Sequence, residues 1–93
     1  MTFEQNRQYA EALKREIERL ESALDELKAK KSAGKSVTKK IKGWMLDRVK
    51  LHGEIIGFIK GRREKGDSDE DLKEFIEMET RLATEEKEIR KLC

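Results

Sequence analysis

The chain has 93 residues, of which 45% are charged and 35% hydrophobic, with one histidine, one cysteine, no proline and a formal net charge of +2 at pH 7. Abundant Glu, Lys, Leu and Arg without proline is the composition of long helices or coiled coils, and the length fits one helical domain spanning residues 1–93. It excludes a disulfide framework, a zinc site of several Cys and His ligands, and an apolar run long enough to span a bilayer.

A core of this size is marginal by itself, so sharing it with a partner subunit is one expected route to stability, and a homodimer is one form that sharing takes. Apolar periodicity sustained through all three thirds of the chain argues against disorder. The start, MTFEQNRQYAEALKREIERL, lacks the uninterrupted apolar stretch of a signal peptide, and Cys93 has no second cysteine to pair with. A cytoplasmic, reducing location is therefore expected.

The first helix is expected over about residues 2–32, with Thr2 as its N-cap. Phe3, Asn6, Ala10, Leu13, Ile17, Leu20, Leu24 and Leu27 form a seam of 3.5-residue period, flanked by charges that suit a solvated coiled-coil-like surface. The run Lys31-Ser32-Ala33-Gly34-Lys35-Ser36 reads as a turn, with Gly34 in the left-handed conformation and Ser36 capping the next helix. Ala33-Gly34-Lys35-Ser36 has the tail of a phosphate-binding P-loop, but no strand precedes it and the first glycine of that motif is missing. A lysine and a serine at a helix start retain the chemistry to hold one phosphate or carboxylate.

The second helix, over about 36–64, carries two adjacent apolar seams. One runs Val37, Ile41, Trp44, Arg48, Leu51, Ile55, Phe58 and the other Met45, Val49, His52, Ile56, Ile59. A helix with so wide an apolar arc needs two neighbours, which makes it the central element. Trp44 between Lys42 and Arg48 has the look of a base-stacking element, but its place in the seam favours core packing. Gly53, Gly57 and Gly61, spaced by four, fall opposite that arc, and each costs about 1 kcal/mol relative to alanine in a helix interior. Such a stripe admits the close approach of another backbone, and is read as a helix-packing interface with a partner or a second copy; a bent or frayed end to the helix is the alternative.

The third helix is expected over about 68–92, after a turn at Gly66, with Asp67 or Ser68 as its cap and Leu72, Phe75, Ile76, Glu79, Leu82, Ala83, Glu86, Ile89 and Leu92 facing inward. Three helices with two short turns give an all-α, antiparallel, up-down-up bundle or rod about 40 Å long. A two-helix arrangement broken at the glycines is the alternative.

Arg48 and His52 lie on the apolar arc of helix two, where an ionisable group needs a partner. Folding about Gly66 brings them level with Glu79 and Glu86, so a buried polar layer of Arg48, His52, Glu79 and Glu86 is expected to fix the register. The same four groups around an anionic small molecule would make an all-helical enzyme, but helix one offers no second cation to such a site. No catalytic residue, metal ligand set or cofactor-binding motif is assigned, since a lone histidine without a Glu-x-x-His pattern cannot build a helical di-metal centre.

Charge is segregated: residues 28–50 hold nine Lys or Arg against Asp47 alone, a net of +8, whereas residues 66–93 carry a net of −5. In the up-down-up rod Lys28, Lys30, Lys31, Lys35, Lys39, Lys40 and Lys42 gather at one tip with Arg90 and Lys91, and Asp67, Asp69, Glu70 and Asp71 at the other. A basic tip attracts phosphates or an acidic protein surface. These features point first to a non-enzymatic helical binding protein, an adaptor or inhibitor, that docks on a protein partner through the basic tip and the glycine-striped face. A nucleic-acid-binding protein making lysine-phosphate contacts is the alternative, and a small helical enzyme comes third.

Overall fold

The computed structural model describes the backbone of residues 3–92 and the side chains of residues 5–92. It consists of α1 (Phe3–Ser32), α2 (Thr38–Glu64) and α3 (Lys73–Arg90), each packed against the other two in an antiparallel three-helix bundle. The rod measures 50 × 20 × 18 Å, longer than the expected length of about 40 Å. The Thr2 cap, the Phe3 side chain and Cys93 lie outside what is described.

In α1 the 3.5-residue seam does what its period dictates: Ala10, Leu13, Ile17, Leu20, Leu24 and Leu27 are all buried. Both turns end their preceding helix in the same way. Gly34 and Gly66 have φ of +80° and +98°, a region glycine enters without steric penalty. Lys35 N–H reaches back to the Lys30 carbonyl and Asp67 N–H to that of Arg62, at 3.0 and 3.1 Å, which closes a Schellman motif at each helix end.

The helix starts depart from expectation. Val37, not Ser36, stands at the start of α2, and it supplies no side-chain cap; its buried side chain anchors the turn to the core instead. Ser68 does form a reciprocal capping pair, its Oγ accepting from Asp71 N–H at 3.3 Å while its own N–H donates to Asp71 Oδ2 at 3.1 Å. The turn that follows mixes three- and four-residue hydrogen bonds to Leu72, so regular helix begins only at Lys73. Ser68 N–H, at 3.1 Å, and the Ser68 hydroxyl, at 3.0 Å, both donate to Asp71 Oδ2 and hold the Asp71 carboxyl below its ordinary value.

α2 is one unbroken helix through Gly53, Gly57 and Gly61, which removes both the frayed-end and the two-helix alternatives. Its inward face is Ile41, Trp44, Arg48, Leu51, Ile55 and Ile59. Trp44 is core, its indole N–H donating to the Leu20 carbonyl at 2.8 Å, so it has no face for a base. Near the acidic end of the rod Tyr9, Phe58 and Phe75 form a ring cluster with centroids 4.5 to 6.2 Å apart, and the Tyr9 hydroxyl donates to Glu54 at 2.8 Å.

The inward face of α3 differs from the expected one. Met78 and Glu85 are buried, Glu79 and Glu86 are only half-buried, and Ala83 is exposed. The observed seam, Leu72, Phe75, Met78, Leu82, Glu85, Ile89, keeps alternating steps of three and four from Phe75 on, but takes Met78 in place of Glu79 and Glu85 in place of Glu86, which turns it toward the groove between α1 and α2.

Candidate functional site

The outward face of α2 is where the molecule leaves most unexplained apolar surface. Of the second seam only Ile59 is buried; Met45 and His52 are half-buried, and Val49 and Ile56 face solvent. Leu46 joins them, giving three large apolar side chains at 64, 60 and 43% exposure for Leu46, Val49 and Ile56. The physical reason is geometric: α1 and α3 both lie on the inward side of α2, and an arc broader than that cleft has nothing left to cover it.

Gly53 and Gly57 lie on this same face. A Cβ added at either would meet no atom within 4 Å, and the same holds at Gly43 and Gly61. No contact inside the chain therefore calls for glycine there. The stripe is open, and the exposed apolar residues that flank it were not separable from the core in sequence, because Val49 and Ile56 continue a seam that looks buried.

The polar layer has one deep member. Arg48, 6% exposed, places Nη2 3.0 Å from Glu86 Oε2 and donates from Nε to the Leu82 carbonyl at 3.0 Å. Glu86 also accepts from Arg90 at 2.6 Å, and that hydrogen bond, with the charge of Arg48, holds its carboxyl below the ordinary value. His52 Nε2 is 3.8 Å from Glu79 Oε1, beyond a hydrogen bond. The layer is thus one buried guanidinium with a half-exposed partner, rather than four buried charges. Nothing in it converges on a cavity in the way an anion-binding active site requires.

The buried carboxylate lies elsewhere. Glu85 is 4% exposed and neither oxygen has a hydrogen-bond partner. Burial, then repulsion from Glu21, pushes its carboxyl up to about 7, against the pull of Arg81 and Arg48. It borders a groove of about 310 Å³ between α1 and α3 where Arg81 is paired with Glu21. No cluster of three metal-ligating side chains exists among the described residues.

At the basic tip, contacts with the C-terminal part of the chain engage three of the expected set. Lys28 sits 3.1 Å from Glu88, Arg90 bonds Glu86, and the Lys31 ammonium donates to the Leu92 carbonyl. Lys30, Lys35, Lys39, Lys40, Lys42 and Lys91 have no ion-pair partner among the described residues. Lys40 is held below the ordinary lysine range, first by contact with Lys30 and then by the repulsion between them, against the pull of Glu26. None of the described helices is long and apolar enough to cross a membrane. Compared with protein-family models, with curated proteins and with solved structures, the chain matches none.

Proposed function

We propose that this three-helix bundle is a non-enzymatic binding module, of the adaptor or inhibitor kind and acting in the cytoplasm, whose outward α2 face receives a macromolecular partner. One observation carries the reading: Leu46, Val49 and Ile56 are exposed beside Gly53 and Gly57, on a helix whose opposite face already completes the fold. Exposed helical glycine and exposed large apolar residues each destabilise or leave unburied a free monomer, and a docked partner gives both a use.

A second reading, nucleic-acid binding at the tip, is favoured by Lys30, Lys35, Lys39, Lys40 and Lys42, none of them ion-paired among the described residues, since a phosphate backbone would supply the counter-charge. Affinity capture from an extract of the native host separates the two. The wild-type chain is compared with Val49→Glu and with the combined Lys35→Gln, Lys39→Gln, Lys40→Gln, Lys42→Gln variant, each with and without nuclease. Loss of partner in Val49→Glu alone supports the α2 face. Loss only in the lysine variant, together with loss on nuclease treatment, replaces it with the nucleic-acid reading.

A further inference from the structure

The outward face of α2 is itself a heptad seam: Lys39, Lys42, Leu46, Val49, Gly53, Ile56, Lys60 and Arg63 follow one another in alternating steps of three and four. Its centre is apolar or small and its ends are cationic. Lys42 and Lys60 are about 27 Å apart at 1.5 Å per residue, the length of five helical turns. Lys39, Lys42 and Lys60, with Lys50 beside the seam, have no ion-pair partner among the described residues, while Arg63 is shared with Asp69 at 3.0 Å. Of the acids near the seam, Glu54 accepts from Tyr9 and Asp47 lies on the shoulder toward α1, while Glu64 and Glu79 border the same groove as Ile56, Lys60 and Arg63 without an ion pair to either cation.

This charge pattern decides the occupant. In an antiparallel copy, the register that lays Leu46 on Ile56 and Val49 on Gly53 sets Lys42 against Lys60 and Lys39 against Arg63. A parallel copy sets every lysine against itself. Both arrangements oppose like charges at both ends of the contact, which works against association. We infer that the occupant of this face is an amphipathic helix of another protein with an apolar centre and acidic ends, its backbone drawn close over Gly53 and Gly57 and its terminal Glu or Asp residues paired with Lys42 and Lys60. The inference rests on the binding-module reading and names the chemistry of its partner.

The test uses the full chain as bait for a displayed library of helices of about 21 residues, three heptads. The central seam positions are Leu or Ala, and the two seam positions at each end are drawn at random from Glu, Gln and Lys. Selection is expected to enrich Glu over Lys at the end positions by at least about tenfold, as several exposed charge pairs acting together allow. With Lys42→Glu plus Lys60→Glu as bait the preference should reverse to Lys, and with Val49→Glu no helix should be enriched.

Enrichment without a sign preference, or a preference that the double charge reversal leaves unchanged, overturns the acidic partner. So does sedimentation of the wild-type chain as a dimer that Val49→Glu dissociates, which gives the face to a second copy. In those cases a native partner that is still lost on Val49→Glu keeps the binding-module reading, whereas one retained on Val49→Glu defeats the reading itself.

Discussion

The two faces of α2 are built from similar residue types and have opposite fates. Ile55 is 0% exposed and Ile56, its neighbour in sequence, is 43% exposed. Inward, Ile41, Trp44, Leu51, Ile55 and Ile59 meet α1 and α3, and the one charge among them, Arg48, is fixed by Leu82 and Glu86. Outward, Leu46, Val49 and Ile56 lie beside glycines at which an added Cβ would meet nothing. The difference teaches that hydrophobicity along a helix reports the number of surfaces it serves, and that a three-helix bundle of this size uses only one of them.

The sharpest way to break this contrast is to truncate the two adjacent isoleucines. Ile55→Ala is expected to destabilise by about 3 kcal/mol, from lost transfer energy and the cavity left behind. Ile56→Ala should stay within about 0.5 kcal/mol of wild type, as exposed substitutions do. Equal losses in urea denaturation would show that both faces are buried and the division is wrong.

The contrast extends to charge, since Arg48 is buried with partners and Glu85 without them. With its carboxyl raised from 4.5 to about 7, the folded chain binds a proton there that the unfolded chain has released between those pH values. Stability from this group is fully present below about 4.5 and is lost as pH rises through about 7. Glu85→Gln should therefore stabilise the fold at pH 8 by about 1–2 kcal/mol, a figure reduced for screening by the adjacent open groove, and should change little at pH 4.5 or below. A stabilisation independent of pH would mean that the carboxylate is solvated and its burial irrelevant.

A smaller effect sharpens the outward half. Gly57→Ala adds a methyl into open space and removes backbone freedom from the unfolded chain, so the isolated protein should gain about 0.5–1 kcal/mol. Thermal unfolding read by circular dichroism checks it. A loss would mean that the chain already packs something against Gly57.

Legibility from sequence followed the number of neighbours each helix has. The α1 seam could be read residue by residue because its charged flanks leave a single narrow stripe, and Gly34 and Gly66 marked the turns through a conformation that glycine enters freely. The Arg48 and Glu86 contact followed from counting outward from Gly66, since antiparallel helices with a short turn have few registers. On α2 the wheel alone could not say which edge of a wide arc would be covered. On α3 two heptad lines share Phe75, Leu82 and Ile89, one passing through Glu79 and Glu86 and the other through Met78 and Glu85, and the groove between two helices selected the second. Glu85 falls one position before Glu86, off the line read from sequence, and its unpaired burial runs against the general rule for carboxylates. Leu46 carried a signal that was missed: with Val49, Gly53 and Ile56 it continues a third heptad line.

The central claim is that the fold is complete without the outward face of α2, and urea unfolding of the combined Leu46→Glu, Val49→Glu, Ile56→Glu variant tests it most directly. The account predicts a stability within about 1 kcal/mol of wild type and an unchanged dependence on urea, because the three side chains already face water. A loss of more than about 3 kcal/mol, or a shallower urea dependence, would contradict it by showing that these residues belong to the core of the folded chain.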